Sequence, residues 1–570
     1  MRRMIKRPEF SAALLLVLLF ICSCLTGCGG QNNTEDLSKK AEDQAEESPA
    51  ADSVDENVEP GLVRIALEDP VPTMDVHKDC EFYSVAFNIY ERLFEIRTND
   101  DGTTRLENGL AEDWSLSEDG LTYHFTLRPD SFFSDGTPVS ASDVAFSFTR
   151  MLALEDSVQS DFADMILGAE AVMEGKTDTL KGIRVLNDRE LEITLSDPYA
   201  GYISMLATPS CSILSEKFVT EAGDAYGLSA EQTIGSGPYQ VTEFTDTRIT
   251  MEKNPYYHCQ EGEELTVERA EFLVLAPALI DRTFREGGLD LLDLSFLNPD
   301  VVASVYKSDD WDDRRITRSC VEDQCMILNL EEPPLNDVRI RKAVQMAVNR
   351  QRILDEIYNG DGQLLDGIFP RGLMGYTEEN QGWLTYDPEE AARLISEVPG
   401  AADARIELGA NAESSVRKLR MIEMVRQDLE AVGLNVMTVS YDRESRTYLR
   451  RAGKLMAYFT EWSADYNDPD NFIYTFFGSR EKTVSWSSNY SDEAVMARIA
   501  SARTLKDEEE RMAEYADLEK TLIQDEAVWV PLFSTEHMYI LGERVESFSP
   551  FWAGWSDIYL RDIVLKREAR

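Results

Sequence analysis

Alternating apolar and polar residues predict β-strands in the first half of the chain. Every second residue from Leu121 to Leu127 is apolar, which is the period of a strand with one buried face. The turn residues Ser117–Gly120 precede this run, so we predict a β-hairpin that ends at Leu127. Two shorter runs, Leu62–Leu67 and Glu190–Leu195, predict further strands.

Apolar positions spaced three and four residues apart predict helices, and polar residues mark where these helices begin. Ser140 followed by Asp143 forms a capping box before one helix. Asn336 or Asp337 caps a second helix, and Asn349 caps a third. Two more helices and a strand are predicted over Pro388–Glu397, Ser414–Val432 and Leu434–Val439. Strands and helices alternate through this half of the chain, which indicates an α/β fold.

The N-terminus has the pattern of an export signal. A basic stretch, Met1–Arg7, precedes thirteen mostly apolar residues, Phe10–Cys22. Thirteen helical residues span about 20 Å, which is short of the roughly 30 Å hydrocarbon core of a bilayer. Leu25–Cys28 resembles a bacterial lipobox, which implies cleavage after residue 27, a lipid on the thiol of Cys28 and a membrane tether. An uncleaved N-terminal anchor, or an ordinary signal peptide with a chance cysteine, are the alternatives.

The chain is strongly acidic, with 105 acidic and 56 basic residues and a formal net charge of −49. Such a surface repels nucleic acid, so we expect no nucleic-acid partner. Residues 29–60 are rich in acids and small polar residues and hold almost no large apolar side chain. This composition predicts a disordered linker between the lipidated Cys28 and the folded part.

The cysteines do not form a complete disulfide framework. Five remain after Cys28, at positions 80, 211, 259, 320 and 325, and an odd number cannot pair fully. Cys320 and Cys325 are close enough in sequence to pair. We nevertheless predict that most of these cysteines are buried free thiols.

The motifs of common enzyme classes are absent from the sequence. There is no Gly-x-Ser-x-Gly around a serine, no His-Glu-x-x-His and no phosphate-binding loop. Four histidines are scattered at positions 77, 124, 258 and 537. We therefore predict a protein that is not an enzyme and has neither a metal site nor a cofactor.

Several sequence blocks occur in the order found in one family of transport proteins. They are Tyr90–Glu95, Asn108–Trp114, Asp119–Arg128, Phe133–Val144, Gly235–Tyr239, Asn254–Tyr257, Pro333–Ala343, Tyr386–Pro388 and Trp462–Pro469. Together they resemble the solute-binding proteins of peptide and nickel ABC importers, extracytoplasmic family 5. The resemblance runs from about residue 62 to the end of the chain.

The resemblance implies a periplasmic-binding-protein-like type II fold with two lobes, a hinge and a subdomain inserted into the first lobe. On this basis residues 1–27 form a signal peptide and residues 28–60 a lipidated linker. Lobe I is discontinuous and comprises residues 61–85, 195–325 and 530–570. The inserted subdomain comprises residues 86–194, and lobe II comprises residues 326–529. The resemblance also implies a monomer on the outer face of the cytoplasmic membrane that captures a peptide and delivers it to the importer's permease.

The resemblance places the ligand-binding residues in the Trp-x-x-Asp segment. In peptide-binding members this aspartate neutralises the ammonium group of the ligand, and here it is Asp465. The backbones of Glu461 and Ser463 would pair with the ligand as strands do, and Trp462 would pack on it. The residues alone leave other roles open: Asp465 in a solvated turn before Pro469, and Trp462 in the core.

Two features depart from the oligopeptide-binding members. Those proteins carry basic groups for the ligand's carboxylate where this chain has Tyr358 and Phe459. A disulfide of close relatives is missing because Ser463 occupies the cysteine position. The alternative cargoes within the family are a nickel chelate, haem or an oligosaccharide, and a secreted hydrolase is the alternative from another class.

Overall fold

The computed structural model describes residues 59–79, 82–99, 104–259, 265–306 and 308–567. The predicted signal peptide, the predicted lipidation site at Cys28, Cys80 and nearly all of the predicted linker lie outside these residues. No helix in the described ranges is long and apolar enough to span a membrane.

A seven-stranded sheet, which we call sheet I, combines strands from distant parts of the sequence. Its strands are β1 (Leu62–Leu67), β8 (Tyr239–Phe244), β9 (Arg248–Lys253), β10 (Arg269–Val274), β11 (Leu291–Asp293), β12 (Arg315–Ser319) and β19 (Glu536–Leu541). Their order is β12-β19-β11-β1-β10-β9-β8. The central strand β1 is the predicted Leu62–Leu67 run. It pairs in parallel with β10, from Leu62 opposite Arg269 to Leu67 opposite Val274.

The segment between β1 and β8 contains a separate four-stranded sheet with its own core. Its strands are β4 (Ala111–Leu116), β5 (Thr122–Leu127), β6 (Ile183–Val185) and β7 (Glu190–Thr194), in the order β4-β5-β7-β6. β4 and β5 form the predicted hairpin, with Tyr123 and Phe125 buried. A small hairpin of β2 (Phe94–Thr98) and β3 (Thr104–Asn108) precedes it.

A six-stranded sheet, which we call sheet II, is built from the second half of the chain. Its strands are β13 (Glu322–Leu328), β14 (Gln363–Leu364), β15 (Arg405–Asn411), β16 (Asn435–Tyr441), β17 (Ala457–Ser463) and β18 (Trp529–Ser534). Their order is β14-β18-β13-β17-β15-β16. The last strands, β20 (Val545–Phe548) and β21 (Ile563–Leu565), form a separate pair.

Sixteen α-helices pack around these sheets in the part of the chain that the structure describes. The first seven are α1 (Tyr83–Ile89), α2 (Ala141–Ala153), α3 (Ala169–Met173), α4 (Tyr202–Met205), α5 (Glu216–Ala222), α6 (Pro277–Arg285) and α7 (Pro299–Tyr306). The others are α8 (Val338–Ala347), α9 (Arg350–Ile357), α10 (Pro388–Ser396), α11 (Val416–Ala431), α12 (Arg443–Arg451), α13 (Asp470–Phe477), α14 (Arg480–Ser485), α15 (Glu493–Ala502) and α16 (Glu508–Lys520).

The predicted helix caps at Ser140 and Asn349 are confirmed, and the helix predicted over Ser414–Val432 is capped by Ser415 and begins at Val416. Ser140 and Asp143 form the capping box of α2. Of the two alternatives for α8, Asp337 is the cap, because its side chain accepts a hydrogen bond from the Arg339 amide. Asn349 caps α9 in the same manner. Each cap satisfies a backbone N–H that the first helical turn leaves without a partner.

The chain passes between sheets I and II at two adjacent places. β12 continues into β13 through Cys320 and Val321, and β18 continues into β19 through Thr535. The Cys320 amide donates to the Thr535 carbonyl at 2.9 Å, and the Thr535 hydroxyl donates to Glu322 at 2.5 Å. The predicted lobe boundaries at 325/326 and 529/530 fall inside β13 and β18 and would divide both strands. We therefore propose that the lobe boundaries lie at the two crossings and that the crossings form the hinge.

Three of the described cysteines, Cys211, Cys320 and Cys325, are free and buried, in agreement with the prediction. Cys259 is exposed. Cys320 and Cys325, which are close enough in sequence to pair, do not form a disulfide.

Candidate functional site

Strand β17 has one paired edge and one edge that is only partly covered. All seven of its residues are in register with β13, from Ala457 opposite Leu328 to Ser463 opposite Glu322. On the other side, its register with β15 ends at Tyr458 opposite Gly409. The Ala464 amide donates to the Val321 carbonyl on the β13 side. Because backbone groups alternate along a strand, those of Glu461 and Ser463 face the other, open edge.

Asp465 follows this edge by two residues. Its side chain is half-buried, and burial raises the pKa of Asp465 to about 6. The hydrogen bond from Asn471 acts in the opposite direction, and the carboxylate of Asp161 raises the pKa further. Within the described ranges, no lysine, arginine or histidine nitrogen lies within 4 Å of its carboxylate. The loop thus holds a poorly hydrated carboxylate without a protein cation beside it.

Asn471 on α13 fixes the position of Asp465. Its Nδ2 donates to Asp465 Oδ2 at 2.9 Å, and its Oδ1 accepts from the Asp465 amide at 3.1 Å. The same Oδ1 accepts from Trp462 Nε1 at 3.1 Å. Asn471 is only 2% exposed, so water hardly competes for its side-chain amide, and these three hydrogen bonds hold the amide in place. Sequence reasoning missed Asn471 because only the fold brings α13 back against the end of β17.

Trp462 packs into the protein core. Its ring meets those of Phe476 and Trp486 edge to face, with centroids 5.4 and 5.7 Å apart. Edge-to-face contacts of this kind stabilise packed aromatic clusters. The Trp462 side chain is partly buried, packs against the core and donates a hydrogen bond to Asn471.

The side chains of Glu461 and Ser463 contact other residues near the same edge. Glu461 is exposed and forms an ion pair with Lys418 at 3.3 Å. The Ser463 hydroxyl donates to Glu322 at 3.4 Å. Neither contact uses the backbone groups that face the open edge, although the Glu461 carbonyl accepts a long hydrogen bond of 3.5 Å from the Thr460 hydroxyl.

Two arginines lie near the open edge: Arg446 at its Phe459 end, and Arg417 beside Tyr358, whose hydroxyl donates to Gln324 opposite Glu461. Arg446 donates from Nη2 to the Phe459 carbonyl at 2.8 Å. The guanidinium of Arg417 lies over the ring of Tyr358, 5.4 Å from its centroid. The sequence positions of Tyr358 and Phe459 lack a cation, but the fold brings Arg417 and Arg446 beside them. Arg417 and Arg446 could not be found from spacing, since they lie on helices distant in sequence.

A second acidic group approaches Asp465 from the inserted segment. Asp161 and Asp164 are solvent-accessible, yet the protein around them removes part of their hydration. Burial raises the pKa of Asp161, and burial together with Asp161 raises the pKa of Asp164 to about 6. The neighbouring rings of Phe162 and Tyr466 meet at 6.1 Å, which brings the two loops together. Lys482 acts against both of these shifts, so this end of the site holds three carboxylates and a nearby cation.

The described residues contain no group of three or more histidine, cysteine, aspartate or glutamate side chains arranged to hold a metal ion. Three of the four histidines are engaged elsewhere. His258 contacts Glu91, His537 contacts Asp293, and His77 contacts Arg150, at 2.7 to 2.8 Å.

Comparison with known proteins places the chain among transport proteins. The dipeptide-binding protein of Escherichia coli is 29% identical over 423 residues, which cover 71% of this chain and 75% of that protein. Heme-binding protein A of Haemophilus influenzae is 26% identical over 482 residues, which cover 81% of this chain and 85% of that protein. A solved structure of a periplasmic murein tripeptide-binding protein, in an unliganded open form, matches with a TM-score of 0.76.

That structure covers 89% of this chain and 98% of its own, at 19% identity, so the likeness concerns the fold. It supports the predicted type II binding-protein fold. The model of the bacterial extracellular solute-binding proteins, family 5 (middle), matches residues 105–483, about two thirds of the chain. The family consists of extracellular solute-binding proteins and not of enzymes. The chain belongs to the bacterial extracellular solute-binding proteins of family 5.

Proposed function

We propose that this protein captures short peptides between its two lobes and delivers them to the permease of an ABC importer. The single observation that supports this function best is the carboxylate of Asp465, which lacks a cation partner beside an open strand edge. An ammonium group on a ligand would supply that partner. A buried charge is stable only when it is paired, so a ligand that carries an ammonium group would bind most tightly.

The two ends of the open edge suit the two ends of a peptide. An ammonium group at Asp465 would leave the ligand's carboxylate near Arg446, which donates to the Phe459 carbonyl. From Phe459 to Ser463 the edge extends about 13 Å at roughly 3.3 Å per residue. A ligand of about four residues would cover this distance as an added strand. Main-chain hydrogen bonds to Glu461 and Ser463 would then hold it without regard to its side chains.

The names of similar proteins agree with this cargo. One relative is named a dipeptide-binding protein, and one matching structure is named a murein tripeptide-binding protein. Another relative is named a heme-binding protein, so haem is the main competing cargo. Asp465, Glu461 and Ser463 stay our proposed ligand contacts. Trp462, whose ring is partly buried in the aromatic cluster, also stays a proposed contact.

We further propose that Cys28 carries a lipid anchor that holds the monomeric protein at the outer face of the cytoplasmic membrane. The basic start, short apolar run and lipobox-like Leu25–Cys28 support this location. A tether of this kind keeps the loaded protein close to the permease. Mass spectrometry of the purified native protein would test it, because a lipid on Cys28 adds a defined mass to the N-terminal peptide.

Native mass spectrometry with a mixture of di- to hexapeptides tests the proposed cargo. We expect retention of peptides near four residues with free amino groups. Retention of haem, visible also by its absorption, or of a saccharide and no peptide would contradict the peptide proposal. Hydrolysis of the added peptides would favour the secreted hydrolase instead.

A further inference from the structure

Helix α12 and the residues after it concentrate positive charge in an acidic chain. Residues 443–454 include five basic residues and one acid, whereas acids outnumber bases almost two to one overall. Among the described residues, no carboxylate oxygen lies within 4 Å of a guanidinium nitrogen of Arg443, Arg446, Arg450 or Arg451. Elsewhere most arginines have such a partner. This surface therefore carries positive charge that the protein does not neutralise.

The electrostatic contacts of Arg450 show the same excess. Burial is the largest cause that lowers the pKa of Arg450, and the charges of Arg451 and Arg446 lower it further. Arg450 and Arg451 lie in the last turn of α12. A helix C-terminus carries about half an elementary negative charge, which offsets only a fraction of two guanidinium groups.

Two of the guanidinium groups, those of Arg450 and Arg480, are held in fixed positions. Arg450 lies 4.2 Å above the ring centroid of Trp486, and its Nη1 donates to the Ser485 carbonyl at 2.8 Å. Arg480 donates to the Tyr490 carbonyl at 3.1 Å and pairs with Glu331 at 2.5 Å. A planar guanidinium that is already fixed loses less conformational freedom when it binds a carboxylate.

These side chains surround an open pocket of about 510 Å³. Arg450, Arg451, Arg480 and Trp486 line it, together with a single acid, Glu481. Tyr448, on the same helix, is 67% exposed. Arginine, tryptophan and tyrosine are the residues that contribute most to binding energy at protein interfaces.

We propose that this pocket binds the carboxylates of an acidic, unstructured segment of a second protein. Guanidinium groups bind carboxylates through paired, charge-assisted hydrogen bonds. A membrane surface of anionic lipids is disfavoured, because it would also face the acidic remainder of the chain. A short acidic segment, in contrast, would contact the pocket without facing the acidic remainder of the chain. The proposal does not depend on which cargo binds beside Asp465.

A fluorescent peptide of six glutamates, acetylated at its N-terminus and amidated at its C-terminus, is a suitable probe. Its blocked ends keep it from the peptide site proposed above. Fluorescence anisotropy in 50 mM salt should show saturable binding to the wild-type protein. The double variant Arg450→Gln/Arg451→Gln should bind at least tenfold more weakly. Arg426→Gln on α11 is the matched control, because Arg426 is already paired with Glu423 and Glu430.

The single variant Arg451→Gln changes an exposed side chain and keeps the test valid if the double variant does not fold. This variant should bind the probe several-fold more weakly than the wild type does. Absence of saturable binding to the wild type, or equal weakening in Arg426→Gln, would overturn the proposal. Binding to phosphatidylglycerol vesicles without binding to the hexaglutamate probe would also overturn it, in favour of a lipid surface.

Discussion

Asp465 combines two properties that oppose folding and favour binding. Its carboxylate is poorly hydrated, and its strongest contact is a neutral amide, Asn471. Ionisation therefore destabilises the unliganded protein until a cation arrives. Groups with a raised pKa of this kind are common at functional sites, which agrees with the proposed role of Asp465.

The Asp465→Asn variant should be more stable than the wild type at neutral pH when no ligand is present. The folded-state pKa of Asp465 is about 6, against about 3.9 for an unfolded aspartate. The folded protein therefore holds the proton more tightly, and this stabilisation is lost as the pH rises from about 4 through 6. Two pKa units correspond to about 3 kcal/mol at most.

Chemical denaturation at pH 4 and at pH 7.5 would measure this difference. The variant should gain stability at pH 7.5 and match the wild type at pH 4. Asp178→Asn, at an exposed position, serves as the control and should change neither value. An Asp465→Asn variant that is less stable than the wild type at pH 7.5 would contradict this account.

Peptide affinity should depend on pH through the same carboxylate. Below pH 6 Asp465 takes up a proton, so affinity for a free-amine tetrapeptide should fall by up to tenfold per pH unit. Above about pH 8 the ligand's α-amino group loses its proton, and affinity should fall again. Calorimetric titrations at pH 5, 7 and 9 would show this maximum. Equal affinity at pH 5 and pH 7 would exclude Asp465 as the ammonium partner.

The family resemblance of the Trp-x-x-Asp segment led to Asp465 as the proposed ligand contact, whereas the residues alone also allowed a solvated turn. The sequence did not reveal the residues that set the chemistry of Asp465. Asn471 is six residues away, and its role arises because α13 turns back on the strand. Asp161 is about three hundred residues away and comes from the inserted segment. Residues of this kind have no local signal, because contact between them is made only by the folded chain.

At the scale of secondary structure, β17 offers a ligand a partly open edge in sheet II. Its neighbour β15 pairs only with Ala457 and Tyr458, so the backbone groups of Phe459, Glu461 and Ser463 face an edge that β15 does not cover. Open edges of this kind readily accept another strand. The sequence predicted the elements well, since capping residues and apolar spacing are local. It could not predict that β15 would end its pairing before Phe459.

Methylation of single peptide nitrogens in the ligand should reveal the added strand. Because backbone groups alternate along a strand, only every second amide of the ligand faces β17. Methylation of a facing amide should weaken binding by about 1 kcal/mol or more, roughly fivefold, through the lost hydrogen bond. Methylation of an outward amide should have little effect. A uniform loss at all positions, in a calorimetric series on one tetrapeptide, would contradict the strand model.

At the scale of the whole molecule, the two adjacent crossings at Cys320–Val321 and Thr535 connect the sheets. Rotation about two short connections requires little change within either sheet, which is the usual arrangement of a hinge. The predicted boundary lay five residues from the first crossing. β12 and β13 continue the chain as strands on both sides of it, so neither composition nor periodicity marks the point.

The central claim is that Asp465 pairs with the ammonium group of a peptide. The most direct test is a thermodynamic cycle in which wild-type and Asp465→Asn proteins each bind one tetrapeptide with a free or an acetylated amino group. At pH 7 we predict a coupling energy of about 3 kcal/mol, because each change removes one partner of a poorly hydrated ion pair. A coupling energy near zero, with equal affinity of the wild type for both peptides, would contradict the claim.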